Sequence, residues 1–274
     1  MFEYVRNEFN PDPALVLGGT PRPAGRFVVD IPYSVSLVLP IPRTAADLRA
    51  LRSRKYWSKL RRSEKLLAED GVKLDFAVLR DEPGLRPALD EVQRLFARRW
   101  ADEYTSFGWK TPAGFAPYAT AMQELAASGR GELVTLRDGD RLVSFAYCLV
   151  QDRTYFFYQH ASVPDERYRR HSIGKILVAR LLADLVEHRR ADVLDLMTGA
   201  ADYKREWTDA EQPILRRISA DRSPAGAVRL GLRWALVRAR FAVQFGDPRV
   251  RSAAKALLLT VDRLRHPAEI TRTP

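Results

Sequence analysis

The sequence predicts an α+β fold, a mixed sheet flanked by helices with a helical C-terminal extension. Three observations predict it. Between Glu132 and Ala161 three strand candidates follow one another, and Arg137-Asp138-Gly139-Asp140 joins the first two. An Asp-Gly pair favours a tight hairpin. Lys175 to His188 then carries Ile176, Leu177, Leu181, Leu182, Leu185 and Val186 at helical spacing. A short apolar strand, Val193 to Met197, returns to the sheet. In a right-handed crossover the strands before and after the helix lie side by side or splay apart.

The remaining elements follow in chain order. Met1 to about Arg26 is rich in proline and glycine and reads as a looping arm. Ser34 to Leu39 predicts a short strand. Thr44 is placed as an N-cap for a helix that runs to Ala68 and stops near Gly71. That helix is very basic, with Arg49, Arg52, Arg54, Lys55, Lys59, Arg61, Arg62 and Lys65. Val72 to Leu79 alternates as a strand, and helices are expected from Leu85 to Glu103 and from Gly114 to Ser128. From Pro224 onward two helices are expected, broken at Gly246-Asp247-Pro248, with Arg229, Arg233, Arg238 and Arg240 among apolar residues. The expected division is an arm over 1–43, a main domain over 44–220 and a basic helical extension over 221–274. The extension fits either a membrane- or nucleic-acid-facing surface or a helix packed on the domain with its arginines in water.

Composition narrows the function classes. The formal net charge is +11, which favours phosphates, coenzymes, acidic carrier proteins, nucleic acid or anionic lipid as partners. Cys148 is the one cysteine, so no internal disulfide forms. Its apolar neighbours suit a buried strand residue better than a nucleophile. The four histidines are scattered without metal-ligand spacing, so no metal is expected. No stretch approaches the ~18 uninterrupted apolar residues of a membrane span. The N-terminus lacks the apolar core of a signal peptide, and a cytoplasmic location is expected.

The chemistry-bearing segment is Arg169-Arg170-His171-Ser172-Ile173-Gly174-Lys175, immediately before a helix. The first amides of a helix lack intrahelical partners and carry partial positive charge. Together with Arg169, Arg170 and Lys175 they make an anion site, and Gly174 permits close backbone approach. The preceding strand ends near His160 and the following one carries Asp195, and such sheets bind ligands at the carboxyl ends of their strands. Tyr203 and Lys204 follow closely. A structural role also suits each residue: His160 ends a strand, Tyr203 packs under the loop, and Asp195 caps a turn.

Asp195-Leu196-Met197-Thr198-Gly199 followed by Asp202-Tyr203-Lys204-Arg205-Glu206-Trp207 resembles the D-x-x-x-G-x-x-x-YK-x-x-W signature of CelD-type acetyltransferases, which are FemAB-related members of the GNAT superfamily. His171-Ser172-Ile173-Gly174-Lys175-Ile176-Leu177 is similar to their S-P-G-x-x-L acyl-CoA loop, with Ile173 in place of proline. Arg54 to Arg62 resembles their basic helix. The resemblance covers about Leu48 to Trp207 and implies a GNAT-like sheet. Members usually carry two GNAT-like halves; here the first is reduced to about fifty residues.

The implied reaction is acyl transfer from acetyl-CoA or a longer acyl-CoA to an amine or hydroxyl, in cell-envelope, polysaccharide or secondary metabolism. Arg169, Arg170, Ser172, Ile173, Gly174 and Lys175 would hold the coenzyme. His160, or else Asp195 or Asp202, would be the base. Tyr203 would protonate the leaving thiolate, and Lys204 would stabilise the oxyanion or hold an anionic acceptor. The partners left open are a small-molecule or glycan acceptor, an acyl carrier protein and a homodimer. Two alternatives remain: a Fem-like transferase using aminoacyl-tRNA, and a non-catalytic binding module of the same fold.

Overall fold

The computed structural model describes residues 3–6, 25–101, 108–198 and 202–245. They group into two compact units, one built from 38–197 and 202–209, the other from the described parts of 1–37 and 210–274.

The smaller unit has three strands. β1 (Glu3–Arg6) and β2 (Arg26–Pro40) open the chain, and β8 (Glu211–Asp221) pairs antiparallel with both. β2 extends well before the expected Ser34. Its ladder shifts register between Pro32 and Ser34, where proline has no N–H to give. β8 was not expected as a strand: Pro213 and the adjacent Arg216 and Arg217 mask its pattern. Yet Arg217 is buried, and its guanidinium donates to both Asp30 carboxylate oxygens at 2.9 and 3.2 Å. Ile31, Ile218, Leu230 and Val237 form this unit's core.

The larger unit holds β3 (Leu74–Leu79), β4 (Gly131–Asp138), β5 (Arg141–Gln151), β6 (Thr154–Ser162) and β7 (Val193–Thr198). β3 to β6 form an antiparallel meander, and β7 joins β6 in parallel. The expected hairpin closes at Gly139, whose φ of 57° suits glycine. The basic helix expected over 44–68 is two helices, α1 (Ala45–Ala50) and α2 (Arg54–Glu69). Thr44 caps the first, but Ser53 supplies a second cap by accepting from the Tyr56 N–H at 3.2 Å, so the chain turns between them. α3 (Leu89–Arg99) and α4 (Pro112–Ala127) follow.

α5 (Ile173–His188) is the central helix. Nine of its residues are buried, so it is apolar around most of its circumference. It lies against β4, β5 and β6 and also touches α1 and α2. Its C-terminal end is locked by charge. Arg190 donates to Glu132 at 2.5 Å and pairs with Asp184, while the Tyr155 hydroxyl donates to the same Glu132 at 2.6 Å. Glu132 is buried, so removing its carboxylate leaves Arg190 and Tyr155 without a shared partner. Glu132→Ala is expected to lower stability by ~3–5 kcal/mol in equilibrium urea unfolding.

Candidate functional site

The site begins with an irregularity in β6. Tyr147 pairs with Gln159 and Cys148 with Phe157, so Tyr158 is an extra residue, a β-bulge. A bulge reverses which side chains share a face. Phe157 and His160, three residues apart, therefore meet with ring centroids 4.8 Å apart. The parallel pairing of β6 with β7 ends at Phe156 and Asp195 although both strands run on. Beyond that pair the β6–β7 ladder does not continue among the described residues.

Two of the candidate catalytic residues hold β7 where this ladder ends. Asp195 is buried and accepts the Met197 N–H at 2.7 Å. Lys204, also buried, donates from Nζ to the Met197 carbonyl at 3.1 Å. Met197 has a φ of 65°, a left-handed conformation that costs about 1–3 kcal/mol for such a residue. Both of its backbone polar groups are thus gripped by the Asp195–Lys204 pair. Neither Asp195 nor Lys204 lines the cavity described next, and Asp202 is exposed.

α5 starts at Ser172, itself left-handed at φ 55°. The Lys175 and Ile176 amides both bond the Ser172 carbonyl, which leaves the Ile173 and Gly174 amides ahead of the first helical bond. A Cβ at Gly174 would come within 3.2 Å of Ser162 Oγ, so the helix start lies close against β6. Ser162 in turn shares a 2.7 Å hydrogen bond with Ser144. The Ile173 side chain is buried. Arg169 pairs with Glu166, whereas Arg170 pairs with Asp70 at 2.6 Å and donates to His171.

A cavity of about 340 Å³ opens where these elements meet. His160 and Tyr203 line it, their rings 5.5 Å apart, together with Ser172, Gly174 and Lys175. Arg99 and Trp100 from the end of α3 and Trp207 complete its wall. A second depression of about 350 Å³ shares Arg99, Ser162, Ser172 and Gly174 and adds Arg169. Arg170 lines neither. Lys175 pairs with Glu206 at 2.6 Å, and Trp207 packs on Tyr56 and Trp57 of α2.

The electrostatics assign protonation states. Burial first, then the charges of Lys204 and Arg99, push the His160 imidazole down to about 4, so it is neutral at physiological pH. Burial pushes the Tyr203 phenol up to about 12, so it keeps its proton. A neutral imidazole and a protonated phenol suit proton acceptance and donation. Cys148 is buried and its thiol is pushed well up. Among the described residues no group of His, Cys, Asp and Glu could hold a metal ion. The sequence pattern missed Phe157, Ser162, Arg99 and Trp100 as wall residues. The first two depend on the bulge, and the others close a helix far away in the chain.

The family model described as an acetyltransferase (GNAT) domain matches residues 54–205, more than half of the chain. The chain belongs to the GNAT acetyltransferase-domain family. The α5 start, the end of the β6–β7 ladder and the 202–205 turn all lie within the matched span. No curated protein sequence matches the chain. Among solved structures this GNAT protein is similar to the C-terminal domain of a protein described as a lysylphosphatidylglycerol synthetase from Agrobacterium fabrum. Identity is 16%, coverage is 82% of this chain and 69% of that one, and the TM-score is 0.48. FemX is 12% identical over 67% of this chain and 62% of its own, with a TM-score of 0.43. A GCN5-related N-acetyltransferase from Ralstonia eutropha is 14% identical over 48% of this chain and 87% of its own, with a TM-score of 0.35. The chain thus spans about two thirds of the two longer relatives.

The low pKa of His160 has a consequence for stability. A histidine whose folded value lies below 6.5 takes up a proton more readily once unfolded, so its contribution is full above about pH 6.5 and is lost as pH falls toward 4. His160→Gln is expected to flatten this loss by roughly 2–3 kcal/mol relative to the parent, read as the difference in urea-unfolding free energy between pH 7 and pH 4.5.

Proposed function

We propose that this GNAT protein transfers an acyl group from an acyl-CoA thioester to an amine or hydroxyl. The observation that carries the reading is the cavity in which His160 and Tyr203 face the start of α5. The residues present fit such a donor. The Ile173 and Gly174 amides precede the helical ladder, and Gly174 has no side chain to stand between them and a ligand. Arg169 lies beside the same depression. A pyrophosphate there would gain the helix N-terminus and nearby cations.

The chain's own groups then divide the work. The β6 backbone beyond Phe156, where its ladder with β7 ends, is suited to polarise the thioester carbonyl. His160 takes the acceptor's proton at its ring nitrogen. Tyr203 returns a proton to the leaving sulfur. Asp195 and Lys204 act through Met197, as positioning residues. The negative charge of a bound coenzyme opposes that of Arg99 and Lys204 and raises the basicity of His160 in the complex. The motif from Asp195 to Trp207 supports the finer CelD-type assignment. The acceptor, a small molecule or glycan, would enter past Arg99 and Trp100.

The exposed cations Arg54, Lys55, Lys59, Arg61 and Arg62 on α2 support a second reading, in which the donor is aminoacyl-tRNA. Its mark would be an affinity for tRNA that falls steeply with salt.

Titration calorimetry with acetyl-CoA and longer acyl-CoAs is expected to show binding, and mass spectrometry an acylated acceptor with free CoA. No binding of any acyl-CoA would overturn the acyl-CoA reading. His160→Ala is expected to lower kcat about 10²–10⁴-fold while the donor Kd changes little. The acid limb of kcat/KM, which reports the free enzyme, is expected near pH 4 rather than 6.5. Gly174→Val is expected to act oppositely, weakening donor binding, because its side chain must displace Ser162.

A further inference from the structure

Helix α6 (Pro224–Phe245) of the smaller unit buries Leu230 and Val237 against Ile31 and Ile218. Its opposite face is unusual. Among the described residues five large hydrophobic side chains are exposed, and three of them are on this one helix: Val228 at 63%, Leu232 at 63% and Trp234 at 45%. At roughly 100° per residue, exposed Ala225, Val228 and Leu232 form a stripe on the first half of the helix, opposite Leu230 and Val237; farther along the same line Ala235 is half-buried and Ala239 is buried. Exposed Arg229 flanks that stripe on one side and exposed Arg238 on the other, while exposed Arg233 and Trp234 lie farther round, toward the packed face. The helix contains no acidic residue.

We propose that this face of α6 lies on an anionic lipid surface. An apolar stripe between arginine flanks is the pattern of a helix in the plane of a membrane interface. Arginine stems extend over apolar surface while their heads reach lipid phosphates. The helix cannot cross the membrane, since no helix of the described residues is long and apolar enough.

Other occupants fit less well. RNA would use the arginines but leave Val228 and Leu232 in water. A second copy would set arginine flanks against arginine flanks. Residues 246–274 carry Arg249, Arg251, Lys255, Arg263, Arg265 and Arg272 against Asp247, Asp262 and Glu269, so this segment adds to the attraction for an anionic surface and does not neutralise α6. The proposal does not depend on the identity of the acyl donor.

The test is co-sedimentation of the full chain with phosphatidylcholine vesicles, with and without phosphatidylglycerol. Binding is expected only with the anionic lipid, and it is expected to weaken as salt rises. Leu232→Asp is expected to weaken it roughly tenfold or more, and Arg229→Gln with Arg238→Gln to weaken it and make its salt dependence shallower. Both sets of positions are exposed, and unchanged thermal unfolding would show that the variants fold. The proposal is overturned by equal binding to neutral vesicles, by no binding to either, or by unchanged binding of Leu232→Asp. Concentration-dependent dimerisation abolished by Leu232→Asp, without vesicle binding, would assign the face to a second copy and overturn it as well.

Discussion

The site depends on one backbone event, the end of β6–β7 pairing at Phe156 and Asp195. Adjacent parallel strands with both backbones satisfied have no room for a ligand between them. Opening them exposes peptide groups, which is costly unless something else holds the backbone. Here Asp195 takes the Met197 N–H and Lys204 takes its carbonyl, so the left-handed turn that leads β7 away is fully bonded on that residue. On the other strand the Tyr158 bulge turns Phe157 and His160 to a common side. The two irregularities together make a gap of fixed shape beside the start of α5.

That arrangement also separates two roles that the residue types alone suggest are one. A buried lysine and aspartate next to a tyrosine read naturally as a catalytic cluster. The hydrogen bonds distribute them differently: Asp195 and Lys204 work on the backbone, while His160 and Tyr203 face the cavity. The charge of Lys204 still reaches the cavity, because together with burial it keeps His160 neutral. The ion-pair network around Glu132 and Arg190 closes the end of α5 away from Ser172, so the rigid and open ends of the helix are distinct.

Much of this was legible in the sequence, and the failures have local causes. The meander, the Gly139 hairpin and the central helix follow from alternation, turn chemistry and helical spacing. The order of the anion loop, Asp195 and Tyr203-Lys204 was enough to point to the GNAT superfamily, which the family match over 54–205 bears out. β8 was not legible because a proline and two arginines hide a strand whose Arg217 is buried on Asp30. The α1–α2 break was not legible because Ser53 reads as an ordinary polar residue inside a basic run. The wall residues Arg99 and Trp100 were not legible because only tertiary packing brings the end of α3 to β6. Bulges leave no trace in a single sequence, and here the bulge decides which face His160 occupies.

Cys148 carries one more consequence. The sole thiol of the chain is buried in β5 and is held far from its reactive thiolate form. Native molecules therefore have no accessible sulfur through which to cross-link or to take up a thiol-directed reagent. A cysteine introduced at any exposed position would be the only reactive one, so a fluorophore or spin label can be placed on α2 or α6 without first removing a native residue.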